Sequence, residues 1–345
     1  MIRVLQVGAG GFGAVWLGAL RQLAGEVSID ALVDHEPAIL ERAALAEGLP
    51  PGRCFTDVGA ALADNGADMA LVVVPPEAHR PIAVRCLEAG LPVLVEKPLA
   101  GTREDSAALV AAARRHGREL AVSQNYRYRP VIETARQVVA SGRLGALGQA
   151  RIEFRHHHDF RGTFREAMNH PLLLDMAVHH FDLIRFVTGL EPRTVAAHTW
   201  NPPWSQFVGD ASAVCVFTME TEARVVYEAS WHPRAQFTDW NCRWLLECER
   251  GYLLADRDRV SVCEAPDAHH IAEPGVGAVD VPLVSLARQD QSATLTDFMR
   301  AVRAGEPAPT TAADNLRSLE MVFAAVDSAE SGGEVTLDAS RRTRA

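Results

Sequence analysis

Several features that would indicate other classes of protein are missing from this sequence. No apolar run reaches the length of a membrane-spanning helix, and the N-terminal residues lead into glycines rather than a leader segment with a cleavage site. The six cysteines form no CxxC pair and lack zinc-like spacing, so neither a disulfide framework nor a metal site is expected. We find no internal repeat and no low-complexity segment. These absences predict a cytoplasmic protein with reduced thiols.

Positive charge is also in the minority. The formal net charge of −10 at pH 7 argues against nucleic acid or an anionic membrane surface as the main partner, although a local basic patch could still bind a phosphate. The length of 345 residues, with 48% hydrophobic and 23% charged residues, suits a globular protein of two domains. We therefore expect a small-molecule partner.

The first 123 residues alternate short apolar, β-branched runs with helical stretches rich in alanine and leucine, as a parallel α/β sheet requires. The predicted strands are Arg3–Val7, Ser28–Val33, Met69–Val74, Pro92–Val95 and Leu120–Ser123. The predicted helices are Val15–Leu23, Pro37–Ala46, Pro81–Ala89 and Asp105–Arg115. Residues 1–123 are thus expected to form a doubly wound α/β domain.

The pattern changes after Pro130. Helices are predicted near Ile132–Ala140, Leu173–Val187, Ser292–Ala304 and Ala313–Ala329. Strands are predicted at Gln149–His157 and repeatedly from Thr194 to Leu283, notably Ala211–Thr218, Ala223–Ser230 and Arg243–Cys248. We expect residues 124–345 to form an α+β domain with a large, mostly antiparallel open sheet.

A glycine-rich segment follows the first predicted strand. Gly8, Gly10 and Gly13 fit the pattern G-x-G-x-x-G, with Gly11 and Phe12 between the last two glycines. Such glycines permit a tight turn and close approach to a pyrophosphate, and the N-terminus of the next helix offers free N–H groups to the phosphates. The segment predicts a dinucleotide site, the alternative being a purely structural turn.

Two later strand ends supply further candidate contacts. Asp34 ends the second strand, where a carboxylate accepts hydrogen bonds from the adenosine ribose and repels a 2′-phosphate. His35 follows it rather than Arg or Lys, so NAD is favoured and NADP stays possible. Val74 and Pro75 offer a rigid, donor-poor wall to a nicotinamide ring. His79 is predicted either to cap or pack locally or to contact the cofactor.

Four motifs in order carry a resemblance to a known family. They are the glycine-rich turn, Pro75-x-x-x-His79, Glu96-Lys97-Pro98, and Asp175-x-x-x-His179 continuing into Phe181-Asp182-Leu183, with Gln124-Asn125-Tyr126-Arg127-Tyr128-Arg129-Pro130 as a further match. Over nearly its whole length the sequence resembles the Gfo/Idh/MocA oxidoreductases, a group with glucose-fructose oxidoreductase and inositol dehydrogenase. The resemblance implies a Rossmann domain, a second domain whose open sheet builds homodimers or homotetramers, and catalysis between the domains.

The resemblance also implies that Lys97, Asp175 and His179 are the catalytic residues. Two departures concern the substrate. Val74-Pro75-Pro76 stands where family members often have Thr-Pro-Asn, which removes polar contacts near the nicotinamide. Asn169-His170-Pro171 replaces a glycine cluster and adds a histidine beside the substrate region.

These three residue types suit hydride transfer at an alcohol. The hydroxyl proton must be removed as the hydride leaves carbon, and His179 is a suitable base near neutral pH. The four-residue spacing places Asp175 on the same helix face as His179. Lys97 would stabilise negative charge on the substrate oxygen, the alternative being a solvated Glu96–Lys97 pair at a strand end. Glu96, Lys97 and Asn125 are also candidate cofactor contacts.

Five side chains in predicted loops or strand ends are candidate substrate contacts. They are Tyr126, Arg127, Arg161, His170 and Trp231. The run His156-His157-His158 is not expected to bind a metal, because consecutive strand residues point to opposite faces. We therefore expect an NAD(P)-dependent dehydrogenase or ketoreductase acting on a secondary alcohol of a sugar, sugar derivative or cyclitol. The alternatives are a non-catalytic dinucleotide-binding sensor, and elimination or hydrolysis through a transient oxidation without net cofactor turnover.

Overall fold

A computed structural model describes residues 1–64, 66–265 and 277–337. The chain divides into two units. The first contains Met1–Asn125 and Arg288–Arg317, and the second contains Tyr126–Ala287 and the described residues 318–337. Among the helices described, none combines the length and apolar character needed to cross a bilayer.

The sheet of the first unit is entirely parallel. Its strands are β1 (Ile2–Val7), β2 (Val27–Val33), β3 (Cys54–Phe55), β4 (Met69–Val72), β5 (Val93–Val95) and β6 (Leu120–Val122). The spatial order is β3-β2-β1-β4-β5-β6, so the winding direction reverses between β1 and β4. Ligands of such sheets bind at the carboxyl ends of the strands beside that reversal. The predicted doubly wound sheet is confirmed.

Helices cover this sheet. They are α1 (Phe12–Gln22), α2 (Pro37–Glu47), α3 (Val58–Ala63), α4 (Pro76–Glu88) and α5 (Arg103–His116), with a 3₁₀ turn at Pro51–Arg53. The short elements β3 and α3 are not among those predicted. Helix α4 begins five residues before the predicted start, because Pro76 occupies the first turn, where its missing N–H group costs no hydrogen bond.

The second unit contains a larger sheet with helices and turns before it. Its elements are α6 (Pro130–Ala140), β7 (Leu147–Arg155), a 3₁₀ turn at Phe164–Ala167, a π-helical turn at Leu172–Ala177, α7 (Val178–Thr188), β8 (Pro192–Trp200), β9 (Ser212–Met219), β10 (Arg224–Ser230), β11 (Arg243–Cys248), β12 (Gly251–Asp256), β13 (Arg259–Glu264) and β14 (Val279–Val281). A further 3₁₀ turn spans Asn125–Tyr128. Late in the chain follow α8 (Asp290–Ala304), α9 (Ala312–Ser331) and β15 (Val335–Thr336).

The described strands of this sheet lie in the order β14-β13-β12-β11-β7-β10-β9-β8-β15. Every neighbouring pair is antiparallel except β7 and β10, which confirms the mostly antiparallel sheet. Helix α7 covers one face of it. The Phe181 ring lies edge-on to Phe217 at 4.9 Å and to Tyr227 at 5.1 Å between ring centroids. This packing fixes the helix that carries His179.

The division into units differs from the expected domains in one segment. Residues Arg288–Arg317 group with the first unit, although residues 124–345 were all expected in the second domain. Helix α8 packs on α1, and its Leu295, Phe298 and Met299 are buried in the core of the first unit. The amphipathic pattern of a helix predicts that one face is buried, but it does not indicate which of two cores that face joins.

Candidate active site

The glycine-rich turn between β1 and α1 leaves no space for side chains at two positions. A Cβ atom on Gly8 would lie 2.0 Å from the Val73 carbonyl oxygen, and one on Gly13 would lie 2.4 Å from the Gly8 carbonyl oxygen. Gly8 also has φ of 93°, in the region that favours glycine. No side chain hydrogen-bonds to the N-terminus of α1, as is typical of a helix end that receives an anion. This backbone cradle fits a dinucleotide pyrophosphate.

A buried glutamine braces the turn. The Gln6 side-chain nitrogen donates hydrogen bonds to the carbonyl oxygens of Gly8 at 2.9 Å and Gly13 at 3.0 Å. Gln6 lies within β1 and is fully buried. Sequence reasoning missed it, although a lone amide residue in an apolar strand directly before the glycines is a signal, because a buried amide needs hydrogen-bond partners.

Asp34 is held against the same turn. One oxygen of its carboxylate accepts from the backbone N–H groups of Ala9 at 2.8 Å and Gly10 at 3.2 Å, and the other accepts from the Glu36 N–H at 3.0 Å. The side chain is 7% exposed. His35, in contrast, is 85% exposed on its side chain, and its Nδ1 lies 3.5 Å from an Asp34 oxygen. Asp34 therefore has a fixed position at the carboxyl end of β2, where a ribose binds in such folds.

His79 joins the loops that follow β4 and β5. Its Nε2 lies 2.8 Å from the Val74 carbonyl oxygen, and its Nδ1 lies 2.9 Å from the Pro98 and 3.3 Å from the Leu99 carbonyl oxygens. Burial lowers the pKa of His79, and the hydrogen bonds to these three carbonyls oppose that effect. The ring is fully buried, so the structure places it in a bracing position between two loops. Pro75, beside Val74, caps the start of α4.

The Glu96 side chain holds the backbone of Lys97 in place by a hydrogen bond. Its carboxylate accepts a hydrogen bond from the Trp16 indole N–H at 3.0 Å and another from the Lys97 backbone N–H at 2.7 Å. Burial raises the pKa of Glu96, while the Lys97 charge and these hydrogen bonds lower it. The Glu96 side chain thus points into the unit, and the solvated Glu96–Lys97 pair is not what the structure contains.

Lys97 is half-buried, and it is the only lysine of the chain. All other strong cations are arginines, which stay protonated in proteins, whereas a lysine can lose its proton. This bias in composition singles out Lys97 without any motif. At the end of the same sheet, Asn125 is buried and donates to Asp290 at the start of α8 over 3.1 Å.

In the second unit Asp175 and His179 occupy a helix that changes pitch. Asp175 lies in the π-helical turn and His179 in the first turn of α7. The Arg165 guanidinium forms two hydrogen bonds with the Asp175 carboxylate, at 2.6 and 3.2 Å. Single π-helical turns within helices are rare and often occur at functional sites. Arg165 was missed by sequence reasoning, because it lies ten residues before Asp175, outside the helix that carries that carboxylate.

His179 is 5% exposed and stacks on Tyr126. The two rings are inclined by only 6°, with centroids 4.2 Å apart. Next to Tyr126, the Arg127 guanidinium forms two hydrogen bonds of 2.6 Å with the Asp182 carboxylate. Asp182 also accepts from the Ser318 hydroxyl at 2.9 Å. Both candidate substrate residues are therefore engaged with the helix that carries His179.

The three other candidate substrate residues are not brought together with His179 by any described contact. Arg161 pairs with Asp159 in an exposed loop, its side chain 72% exposed. His170 lies 3.3 Å from a Glu330 oxygen of α9. Trp231 is 1% exposed, so its ring surface is covered by protein.

The described residues contain no arrangement that would hold a metal ion: no group of three or more His, Cys, Asp or Glu side chains is placed to do so. Five of the cysteines are thiols without a disulfide bond: Cys54, Cys86, Cys215, Cys242 and Cys248. Burial raises the pKa of the Cys86 thiol to about 12, which keeps it protonated and unreactive at neutral pH.

The parallel sheet, the glycine cradle and the fixed Asp34 define a dinucleotide-binding oxidoreductase. Residues 2–124 match the model of the oxidoreductase family with an NAD-binding Rossmann fold, and residues 132–254 match the GFO/IDH/MocA C-terminal domain. The chain belongs to the Gfo/Idh/MocA oxidoreductase family. The resemblance seen in the sequence, the enzyme class and an NAD-binding Rossmann domain are thereby confirmed.

Individual relatives agree with this membership. The chain is 30% identical to inositol 2-dehydrogenase of Corynebacterium glutamicum over 68% of both proteins. It is 28% identical to D-apiose dehydrogenase of Paraburkholderia graminis over 96% of this chain and 88% of the relative. An oxidoreductase of Agrobacterium radiobacter, solved with NAD⁺, L-tartaric acid and magnesium, has the same fold at a TM-score of 0.86, with 21% identity over 97% of this chain and 98% of that one.

Proposed function

We propose that this protein is an NAD-dependent dehydrogenase or ketoreductase that acts on one secondary alcohol of a sugar, sugar derivative or cyclitol. Two relatives named inositol 2-dehydrogenase and D-apiose dehydrogenase support that substrate class. NAD is preferred to NADP, because the Asp34 carboxylate would repel a 2′-phosphate and Glu36 adds a second negative charge nearby. The residues directly after Asp34 are His35 and Glu36, so no arginine or lysine stands there to accept that phosphate.

The observation that carries the proposal is the common edge shared by the glycine cradle and Lys97. Strands β1 and β5 are both parallel members of one sheet, and the glycines and Lys97 follow their carboxyl ends. Lys97 therefore belongs to the edge at which a dinucleotide binds. When bound, NAD supplies the nicotinamide ring that accepts or returns a hydride.

The residues of the chain handle the proton and the charge. His179 accepts the substrate hydroxyl proton during oxidation and returns it during reduction. Lys97 stabilises negative charge on the same oxygen and, as a lysine, can exchange a proton itself. Asp175, held by Arg165, orients the substrate or the imidazole. Gln6, His79 and Glu96 keep the backbone around the cofactor in place.

A panel of sugars, cyclitols and their keto derivatives, assayed with NAD and NADP at 340 nm, tests this function. We expect net turnover with at least one member and a higher kcat/KM with NAD. His179→Ala should lower kcat by about 100-fold or more, the usual weight of a general base. An exposed arginine of β7 gives the control Arg151→Gln, which should retain full turnover.

The other outcomes contradict the proposal in separate ways. Binding of NADH without turnover of any member would indicate a sensor. Product formation without a net change in absorbance at 340 nm would indicate elimination or hydrolysis through a transient oxidation. A higher kcat/KM with NADP would contradict the cofactor preference alone.

A further inference from the structure

Arg129, Tyr126 and His179 form a three-layer stack in the second unit. The Tyr126 and His179 rings are nearly parallel, with 4.2 Å between centroids. The guanidinium carbon of Arg129 lies 3.4 Å from the centroid of the same Tyr126 ring. Two groups so close to one ring cannot share a face without overlapping. The guanidinium and the imidazole therefore lie on opposite faces of the tyrosine.

Hydrogen bonds hold Arg129 and the segment around Tyr126 in place. Arg129 donates to the Asn241 side-chain oxygen at 2.8 Å, and Asn241 in turn donates to the Asp239 carboxylate at 3.0 Å. On the other side, the Arg127 pair with Asp182 ties the residue after Tyr126 to α7, one helical turn beyond His179. The tyrosine consequently has a fixed plane, and the imidazole that stacks on it has the same plane.

The two neighbours act on His179 in opposite electrical directions. The negative face of an aromatic ring attracts a cation, so Tyr126 alone would favour protonated His179. A guanidinium on the far face repels a positive charge on the imidazole, because His179 is buried and Arg129 is half-buried, so that water screens the two charges only in part. A general base must have lost its proton before it can accept one from the substrate.

We propose that Tyr126 and Arg129 are positioning residues that hold the imidazole plane of His179 and keep that ring neutral and ready to accept a proton. The catalytic part of this inference rests on the proposed function. The effect of the Arg129 charge on the protonation of His179 does not. The inference also gives Tyr126 a role beside the base instead of direct substrate recognition.

Several charged or titratable groups on neighbouring elements have contacts of their own. They include Asp175 with Arg165, Asp182 with Arg127, His180 with the Tyr227 hydroxyl, and Asp239 beside Arg129 and Asn241. Burial raises the pKa of Asp239, and the Asn241 hydrogen bonds and the Arg129 charge lower it. Replacing Arg129 by a neutral residue removes the positive charge beside the stack and beside Asp239, and it leaves the Asp175–Arg165 and Asp182–Arg127 pairs in place.

The test is a pH titration of the His179 ring by NMR in the full-length protein without substrate, the signal being assigned by its loss in His179→Gln. Arg129→Gln should raise the pH at which His179 takes up its proton by about one unit, as expected for removing a nearby like charge. Arg129→Lys keeps the charge and should match the parent. The exposed control Arg151→Gln should also match it.

Kinetics supply the second readout. Tyr126→Phe retains the stacking face and should retain kcat, whereas Tyr126→Leu should lower kcat more than it changes KM. The acid limb of the pH profile of kcat/KM should move upward in Arg129→Gln by the same amount as the NMR titration.

An unchanged His179 titration in Arg129→Gln would overturn the inference. If that variant does not fold, Asn241→Ala, which releases the anchor of Arg129, is titrated in its place and should show a smaller upward shift, and no shift would again overturn it. If the titration shifts but His179→Ala stays active, the proposed function is contradicted and the inference about Arg129 stands. If His179→Ala is inactive but the titration does not shift, the inference about Arg129 is contradicted and the proposed function stands.

Discussion

At the scale of single residues, Asp34 serves the fold and the ligand together. The carboxylate already accepts hydrogen bonds from the turn amides of Ala9 and Gly10, so it shapes the cradle before any ribose arrives. The oxygen that accepts from the Glu36 N–H has a second lone pair, which leaves acceptor capacity for a ribose hydroxyl. Replacing Asp34 therefore affects both the turn and the choice of cofactor.

Asp34→Asn tests this double role. We expect the Kd for NADH to rise about tenfold, because one charge-assisted hydrogen bond contributes roughly 1.5–3 kcal/mol. The Kd for NADPH should fall, since the repulsion of its 2′-phosphate is removed. Fluorescence titration with both cofactors measures the two constants. The control is Glu41→Gln, an exposed carboxylate of α2. An unchanged ratio of the two constants would contradict the assigned role.

Side-chain partners were the least predictable part of the site. Arg127 was expected to contact substrate, and the structure pairs it with buried Asp182. The partner is 55 residues away in the chain, so no local pattern indicates the pair. Tyr126 and His179 are separated by a similar distance. The identity of Lys97, Asp175 and His179 as candidates came from ordered motifs, and that set of roles stays a prediction.

At the scale of elements, His79 connects the loops after β4 and β5 within the first unit. Its buried ring replaces water as the partner of carbonyl groups at both loops. A helix residue therefore determines the spacing between Val74 and the backbone just beyond Lys97. The motif Pro75-x-x-x-His79 has a physical reason in this contact, because the first turn of α4 carries the ring back onto the loops.

The depressed pKa of His79 makes a prediction about stability. Burial lowers the folded-state pKa below the ordinary value of 6.5, so the unfolded chain binds a proton more readily than the folded one. The contribution of His79 to the free energy of unfolding should therefore be greatest above about pH 6.5. It should decrease as the pH falls toward the folded-state pKa of His79. His79→Gln should show a smaller fall over that range, measured by denaturant unfolding at several pH values.

A second histidine provides the control for that series. His198 is exposed on β8, so His198→Gln should keep the parent's pH dependence. His79→Gln should also lose about 1–3 kcal/mol at pH 7.5, because buried carbonyl groups lose a donor. An identical pH dependence in His79→Gln and the parent would contradict the assignment of a buried, reluctantly protonated ring.

The elements themselves were largely predictable. Apolar runs rich in β-branched residues determine β1, β2, β4 and β5 locally, and the mostly antiparallel second sheet follows from period-two alternation. The π-helical turn at Leu172–Ala177 was not predicted, since its hydrogen bonds shift by one residue without a change in the apolar pattern. It brings Asp175 to Arg165, which the helical spacing alone does not indicate.

At the scale of the whole molecule, the chain crosses between the two units more than once. Helix α8 returns to the first unit, where it completes the hydrophobic core against α1. The expected boundary at residue 123 was close to the first crossing after Asn125, but sequence patterns did not reveal the return. The proposed catalytic residues are divided likewise, with Lys97 in the first unit and Asp175 and His179 in the second.

The composition of the chain points to a special role for Lys97. Lys97 is the single lysine among 34 lysine and arginine residues. Positive charge alone could be supplied by arginine, as it is everywhere else in the sequence. A lysine is needed where the cation must also give up a proton. We therefore expect that the positive charge of Lys97 is not sufficient for catalysis and that the side chain must also exchange a proton.

The most direct test compares Lys97→Arg with Lys97→Ala, using the substrate identified in the panel. Arginine retains the charge but cannot be deprotonated, so Lys97→Arg should lose on the order of 100-fold or more in kcat, while its Kd for NADH stays within about threefold of the parent. Lys97→Ala should be at least as impaired. A Lys97→Arg enzyme with a kcat near that of the parent would contradict the account.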